Sequence, residues 1–131
     1  TICNYTSDNS NAHGDQLNDE DLSIFSKDQQ YNPSDINSGG RALAAIVRPY
    51  CVSLYGEPLS QWFDLSKREY YFGFSGSSDQ TSEFFVPDFH YPRGFSVELS
   101  DGEWHHDPKS QLLFFTTSKK QSEHFLRILP K

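Results

Sequence analysis

From residue 50 onward the chain alternates between apolar and polar positions. Tyr50, Val52 and Leu54 alternate with Cys51 and Ser53, and Tyr70, Phe72 and Phe74 with Tyr71 and Gly73. Phe95, Val97 and Leu99 alternate with Ser96 and Glu98. Leu112 and Phe114 share one face of a further run, Leu126 and Ile128 one face of the last, and Phe84–Val86 is another short apolar run. Successive side chains on a strand point to opposite faces, so this period of two predicts strands with one buried face. Gly56-Glu57-Pro58, Gly76-Ser77-Ser78-Asp79, Asp101-Gly102, Asp107-Pro108 and Ser118-Lys119-Lys120 read as turns between the runs. Short strands at this spacing over about 80 residues predict an antiparallel sandwich of about seven or eight strands. His105-His106-Asp107, following Trp104, falls in a turn on this reading.

The pattern before residue 50 is different. Leu43, Ile46, Val47 and Tyr50 follow i, i+3, i+4, i+7 spacing, which predicts a helix over residues 36–48 with one apolar face. Asp35 or Ser38 is placed to cap its start, Ala42, Ala44 and Ala45 favour it, and Pro49 ends it. Residues 1–35 are loop-like and polar, interrupted by the apolar cluster Leu22, Ile24 and Phe25, which suggests a loop pinned to something. Thr1–Tyr5 reads as the end of a buried strand. A single strand and a single amphipathic helix each need a further layer to pack against, so the expectation is the C-terminal piece of something larger.

Composition sharpens this picture. The 131 residues include 11 Phe, 7 Tyr and 2 Trp, ample for a folded interior. No apolar run approaches the roughly 20 residues of a membrane-spanning helix, and no targeting pattern stands out. The net charge is −7 and unevenly spread. Residues 1–38 hold seven acids (Asp8, Asp15, Asp19, Glu20, Asp21, Asp28, Asp35) against Lys27 alone, and the remainder is nearly balanced. A phosphate backbone finds no basic stripe here, which speaks against a nucleic-acid partner. Cys3 and Cys51 are too few for a disulfide framework and read as free thiols in a reducing compartment. The sequon Asn4-Tyr5-Thr6 is a triplet common by chance.

Few side chains are spaced for chemistry. Asp19-Glu20-Asp21 lacks the alternating acids and the central glycine of a calcium loop, and reads as a solvated acidic segment. Adjacent His105 and His106 point to opposite faces if extended, and His13, His90 and His124 are scattered, so no metal is expected. Phe74-Ser75-Gly76 lacks the strand-to-helix elbow of a serine nucleophile. Trp62 and Trp104 are candidates for a sugar-stacking platform, set against the commoner role of aromatics as core.

The run Thr1-x-x-Asn4-Tyr5-Thr6-x-Asp8-Asn9, then Gly14-Asp15, then Asn18-x-Glu20-Asp21-Leu22-Ser23-Ile24-Phe25-Ser26, resembles glycoside hydrolase family 5. The similarity is to its endoglycoceramidase-like group, which includes fungal glucosylceramidases and steryl β-glucosidases. Gly39-Gly40-Arg41-Ala42-Leu43 leading to Val47-Arg48-Pro49-Tyr50 resembles the last barrel helix and its exit. Phe85-Val86-Pro87, His90-Tyr91-Pro92 and Gly94-Phe95-Ser96-Val97-Glu98 resemble the group's C-terminal sandwich.

The resemblance implies a mainly β chain: the last strand, loop and helix of a (β/α)8 barrel over residues 1–49, then an antiparallel β-sandwich over residues 50–131. Barrel active sites lie at the C-terminal ends of the strands. The loop after the first strand would then face substrate, with Cys3, Asn4, Tyr5, Asn9, Asp15 and Asn18 lining the pocket. Where Cys3 stands, the family usually has a sugar-stacking tryptophan. The two glutamates of a retaining mechanism belong to the fourth and seventh barrel strands, which precede residue 1, so no catalytic residue is assigned here.

The implied function is the C-terminal portion of a retaining β-glucosidase that hydrolyses a steryl glucoside or glucosylceramide without a cofactor. Its implied partners are the upstream barrel portion, as a separate chain or cleaved fragment, and the glycolipid, with peripheral membrane contact through exposed aromatics. The expected location is intracellular, in cytosol or vacuole. The rival reading is a non-catalytic carbohydrate-binding or structural β-sandwich module.

Overall fold

The computed structural model describes residues 24–77, 79–118 and 121–131. The chain divides into two compact units, residues 1–46 and residues 47–131. In the first, Phe25 and Gly40 form an isolated antiparallel bridge, and Lys27–Gln29 makes one 3-10 turn. The only α-helix among the described residues is α1, Leu43–Ile46.

The helix expected over residues 36–48 is therefore cut to one turn, and local polar side chains supply the reason. Asn32 Oδ1 accepts the Ser34 N–H at 3.1 Å, Asp35 Oδ1 accepts the Asn37 N–H at 2.9 Å, and Ser38 Oγ accepts the Asn32 N–H at 2.9 Å. Such bonds offer the backbone an alternative to the helical ladder. Gly39 at φ 90° and Ala42 at φ 51° sit in the left-handed region and break what remains. A Cβ on Gly39 would lie 2.6 Å from the Ser26 carbonyl oxygen, so the tight return of the chain requires glycine there.

The second unit is all β. In chain order its strands are β1 (Tyr50–Ser53), β2 (Glu57–Asp64), β3 (Glu69–Ser75), β4 (Thr81–Phe85), β5 (Phe95–Leu99), β6 (Glu103–Asp107), β7 (Leu112–Thr116) and β8 (Glu123–Pro130). They form two antiparallel four-stranded sheets, ordered β1-β4-β7-β6 and β2-β3-β8-β5. The mainly β sandwich read from the alternation is the observed architecture.

Two strands lie where the sequence suggested turns. β2 begins at Glu57, inside the Gly56-Glu57-Pro58 signal, and β6 contains Trp104-His105-His106-Asp107. Both are edge strands. An edge strand exposed along much of its length carries no buried face, and so no alternation.

The core forms where the inner faces meet. Tyr70, Phe72 and Phe74 of β3 and Leu126 and Ile128 of β8 face Phe84 of β4 and Leu113 and Phe115 of β7, all nearly inaccessible to solvent. Phe72 meets Phe84 edge-on with centroids 5.3 Å apart, and Phe74 meets Phe115 at 5.8 Å. These edge-to-face contacts place the positive ring edge of one partner on the negative face of the other. On β7 it is Leu113 and Phe115 that point inward, while Leu112 and Phe114 share the half-buried outer face.

Two hairpins close in the same way. After β2, Asp64 Oδ1 accepts the N–H groups of Ser66 and Lys67, and Arg68 turns left-handed at φ 53°. After β6, Asp107 Oδ1 accepts the Lys109 N–H, and Gln111 turns left-handed at φ 56°. Asp101-Gly102 instead carries the chain from one sheet to the other, and a Cβ on Gly102 would run into the Thr116 carbonyl oxygen. Replacing Phe84 with Ala removes a fully buried ring from the contact between sheets and should cost about 3–5 kcal/mol. Urea unfolding of the F84A chain against the wild type measures this, and a loss under about 1 kcal/mol would contradict the packing described.

Candidate functional site

The side of the sandwich where β1 and β2 run is unlike the rest of its surface. Between Tyr50 and Phe63 only Glu57 is charged. Val52, Tyr55, Leu59 and Trp62 are all exposed there, Leu59 at 57% and Trp62 at 45%. β1 and β2 are edge strands of different sheets, and a groove of about 600 Å³ opens between them. Its lining is mainly apolar: Cys51, Val52 and Leu54 on one side, Pro58 and Leu59 on the other, with Phe72 reaching into it from the core. Burial pushes the Cys51 thiol up to about 11, against a weaker opposing hydrogen bond from the Ser53 backbone, so it stays a neutral apolar wall.

A second groove of about 740 Å³ lies across the β2-β3-β8 surface and shares Leu59 and Ser60 with the first. Tyr71, Ser122, Glu123 and Phe125 also line it. Tyr71 is stacked against Trp62 on one side, with centroids 5.6 Å apart, and against Phe125 on the other at 5.9 Å. Gly73 lies beneath, because the alternation of β3 sends Phe72 and Phe74 inward. The Tyr71 hydroxyl and Ser60 Oγ sit 3.2 and 3.1 Å from where a Cβ on Gly73 would be. Beside these rings, Arg127 bridges Glu69 at 2.6 Å and Glu98 at 3.1 Å.

Two histidines are structural anchors. His124 Nδ1 donates to Asp101 Oδ1 at 2.7 Å, and Asp101 also accepts from Ser100 Oγ, the Ser118 N–H and Gln121 Nε2. Burial acts to raise the Asp101 carboxyl, but bonds from His124, Ser100 and Ser118 together outweigh it and hold the group well below the usual carboxylate range. His90 is buried near Phe63 and Phe89, and its Nε2–H donates to the Val47 carbonyl at 2.8 Å. Burial lowers its pKa, the Val47 bond opposes this, and the Arg48 and Arg68 charges lower it further.

The other candidates separate. His105 stacks on Phe114 at 4.5 Å, while His106 meets Phe95 at 4.9 Å. Among the described residues no group of three His, Cys, Asp or Glu is placed to hold a metal. Trp104 lies on edge strand β6 near Phe95, across the sandwich from Trp62, so the two tryptophans form no common platform. Cys3, Asn4, Tyr5, Asn9, Asp15 and Asn18, and the acids Asp19, Glu20 and Asp21, lie outside the described residues.

Residues 48–128 match the family model of the glycoside hydrolase family 5 C-terminal domain. The chain belongs to that family. A glucosylceramidase of Rhizopus delemar is 32% identical over 87% of this family 5 chain, which spans 19% of that protein. Cryptococcus neoformans sterylglucosidase 1 superposes on 97% of the chain with a TM-score of 0.78 and 25% identity, the match spanning 21% of its length. Endo-glycoceramidase II from Rhodococcus sp. shares the fold over 78% of the chain, with a TM-score of 0.57 and 17% identity. The chain thus spans about a fifth of the length of the relatives it matches.

Sequence reasoning passed over Leu59, Ser60, Tyr71 and Phe125. The signals available were a nearly uncharged stretch over residues 50–63 and Gly73 inside a strand, where glycine usually marks a close approach.

The two anchors predict how stability follows pH. The folded pKa of His90 is depressed, so its contribution is complete above the ordinary value near 6.5 and is lost as pH falls below it. The folded pKa of Asp101 is depressed too, so its contribution is present above about 3.8 and lost as pH falls further. Thermal melts from pH 8 to pH 3 should decline in two stages. His90→Gln should remove the stage below pH 6.5, and Asp101→Asn should flatten the acid stage while costing about 1.5–3 kcal/mol at pH 7. An unchanged profile in either variant would refute that anchor's role.

Proposed function

We propose that this chain is the C-terminal portion of a retaining β-glucosidase acting on a glucosyl lipid, either a steryl glucoside or a glucosylceramide. The observation that carries the reading is the likeness to Cryptococcus neoformans sterylglucosidase 1, which extends over 97% of the chain at a TM-score of 0.78. The 32% identity to the Rhizopus delemar glucosylceramidase supports the same class of substrate.

On this reading residues 1–49 complete a (β/α)8 barrel, and Cys3, Asn4, Tyr5, Asn9, Asp15 and Asn18 line the sugar side of its pocket. Retaining hydrolysis needs a nucleophile and an acid/base carboxyl about 5 Å apart. Both come from the upstream barrel portion. Cys3 replaces a flat aromatic face with a small thiol, which leaves room in the pocket and reduces stacking on the sugar. The enzyme works inside the cell, in contact with the membrane that holds its substrate.

A fluorogenic β-glucoside tests this. The 131-residue chain alone should show no turnover, and adding the upstream barrel portion should restore it. Turnover by the chain alone would sink the proposal. In the restored enzyme, Cys3→Trp should lower KM for a simple glucoside about tenfold, in line with one gained stacking contact.

A further inference from the structure

The segment by which the chain enters the second unit is held at a shared oxygen. Val47, Arg48 and Pro49 lie between α1 and β1 and belong to neither. The Val47 carbonyl accepts two bonds, one from the His90 Nε2–H at 2.8 Å and one from Arg48 Nη1 at 3.1 Å. The Arg48 guanidinium also lies 5.2 Å from the centroid of the Phe63 ring. The His90 ring is 4.9 Å from that same ring and 5.0 Å from Phe89, and His90 is 2% exposed. An imidazole and a guanidinium thus converge on one oxygen beside one phenyl ring. This arrangement is favourable while the imidazole is neutral, because the ring then has one N–H to give and no charge to oppose Arg48.

A second proton, taken at Nδ1, leaves the Nε2–H in place but changes its setting. The ring becomes a cation in an aromatic slot, facing Arg48 across the shared oxygen. Arg68 adds another like charge, with its Nη1 directed at the His90 carbonyl at 3.5 Å. The acids next to these residues in sequence are placed elsewhere. Glu69 on β3 is held by Arg127 at 2.6 Å, and Asp88 lines a cleft with Trp104 and Lys131. We propose that His90 and Arg48 form an acid-released clasp on residues 47–49. In neutral solution both hold the Val47 carbonyl, and in acid their mutual repulsion frees this segment while the two sheets stay paired. The segment is the easiest part to move. Residues 47–49 belong to no strand, and Pro49 has no N–H. Phe63 is fixed in the β2–β3 ladder opposite Tyr70, and the His90 N–H is bonded to the Pro87 carbonyl at 3.1 Å.

Val47, Arg48, Phe63, Arg68, Phe89 and His90 all belong to the second unit, so the clasp does not depend on the hydrolase reading. The test is NMR of the whole isotope-labelled chain, titrated from pH 7.5 to pH 4.5. As the His90 ring titrates below 6.5, the heteronuclear NOE of the Val47 and Arg48 amides should fall, while Phe72, Phe84 and Leu113 keep theirs. Arg48→Gln removes the facing charge and should move the ring titration to higher pH, by about half a pH unit or more. His90→Gln keeps a side-chain N–H for Val47 and gains no charge, so its segment should stay ordered at pH 4.5. A histidine that only fills space would give neither effect. Thermal melts at pH 7.5 confirm that both variants fold. Four results would each overturn the proposal: a ring still neutral at pH 4.5, or a titrated ring with Val47 and Arg48 as ordered as before; a titration unmoved by Arg48→Gln; loss of order in His90→Gln at pH 4.5; or loosening of the core strands together with the segment.

Discussion

Everything in the second unit depends on how two aromatic pairs hold the sheets together. Phe72 meets Phe84, and Phe74 meets Phe115, each edge to face. The four rings come from β3, β4 and β7, three of the four interior strands of the two sheets. Rings this large fill the gap between sheets with few side chains, which lets short strands enclose a dry core. They also dictate the surface. With Phe72 and Phe74 inward, Tyr71 and Gly73 must face out. The aromatic surface of the second groove is thus the reverse side of the core pattern.

The ends of that core are closed by polar anchors. At one end of β3, His90 ties the chain near Phe63 to the Val47 carbonyl, where the second unit begins. At the other, Asp101 gathers His124, Ser100, Ser118 and Gln121 and so joins the turn after β5 to the loop before β8. A buried carboxylate is costly unless its oxygens are satisfied, and four donors do this for Asp101. Both histidines are occupied by these structural bonds. Their place in the chain, far from each other and beside phenylalanines in the core (Phe74) or packed against it (Phe63), argues for anchoring over proton transfer.

Legibility in the sequence followed burial except at β1, whose alternation was read although Tyr50 and Val52 face solvent and it is Cys51 that packs against the core. β3, β4, β5, β7 and β8 have at least one residue facing the core, and their apolar residues announced them, although Leu112 and Phe114 proved to be the outer row of β7. β2 and β6 were missed because edge strands wet along much of their length impose no period on sequence. The short helix failed differently. Leu43 and Ile46 do share a half-buried face, but Asn32, Asp35 and Ser38 capture nearby backbone groups and keep the preceding residues in turns. Spacing records which side chains are to be buried together, whereas turn chemistry decides whether the backbone reaches a helix at all. The candidate site was least legible, since Ser60 and Phe125 come from strands distant in sequence and meet only through β3.

The exposed edge of β2 is the structure's least expected feature on stability grounds alone. Natural sheets usually guard an edge with charge, and this one presents Leu59 and Trp62 instead. Pro58 and the adjoining bulge already deter strand pairing, so charge is not needed for that purpose. What remains is a row of apolar side chains next to an open channel, which a lone soluble module would gain nothing by keeping. Such a row marks a contact surface, which favours a binding or packing role for β2 over a free-standing spacer.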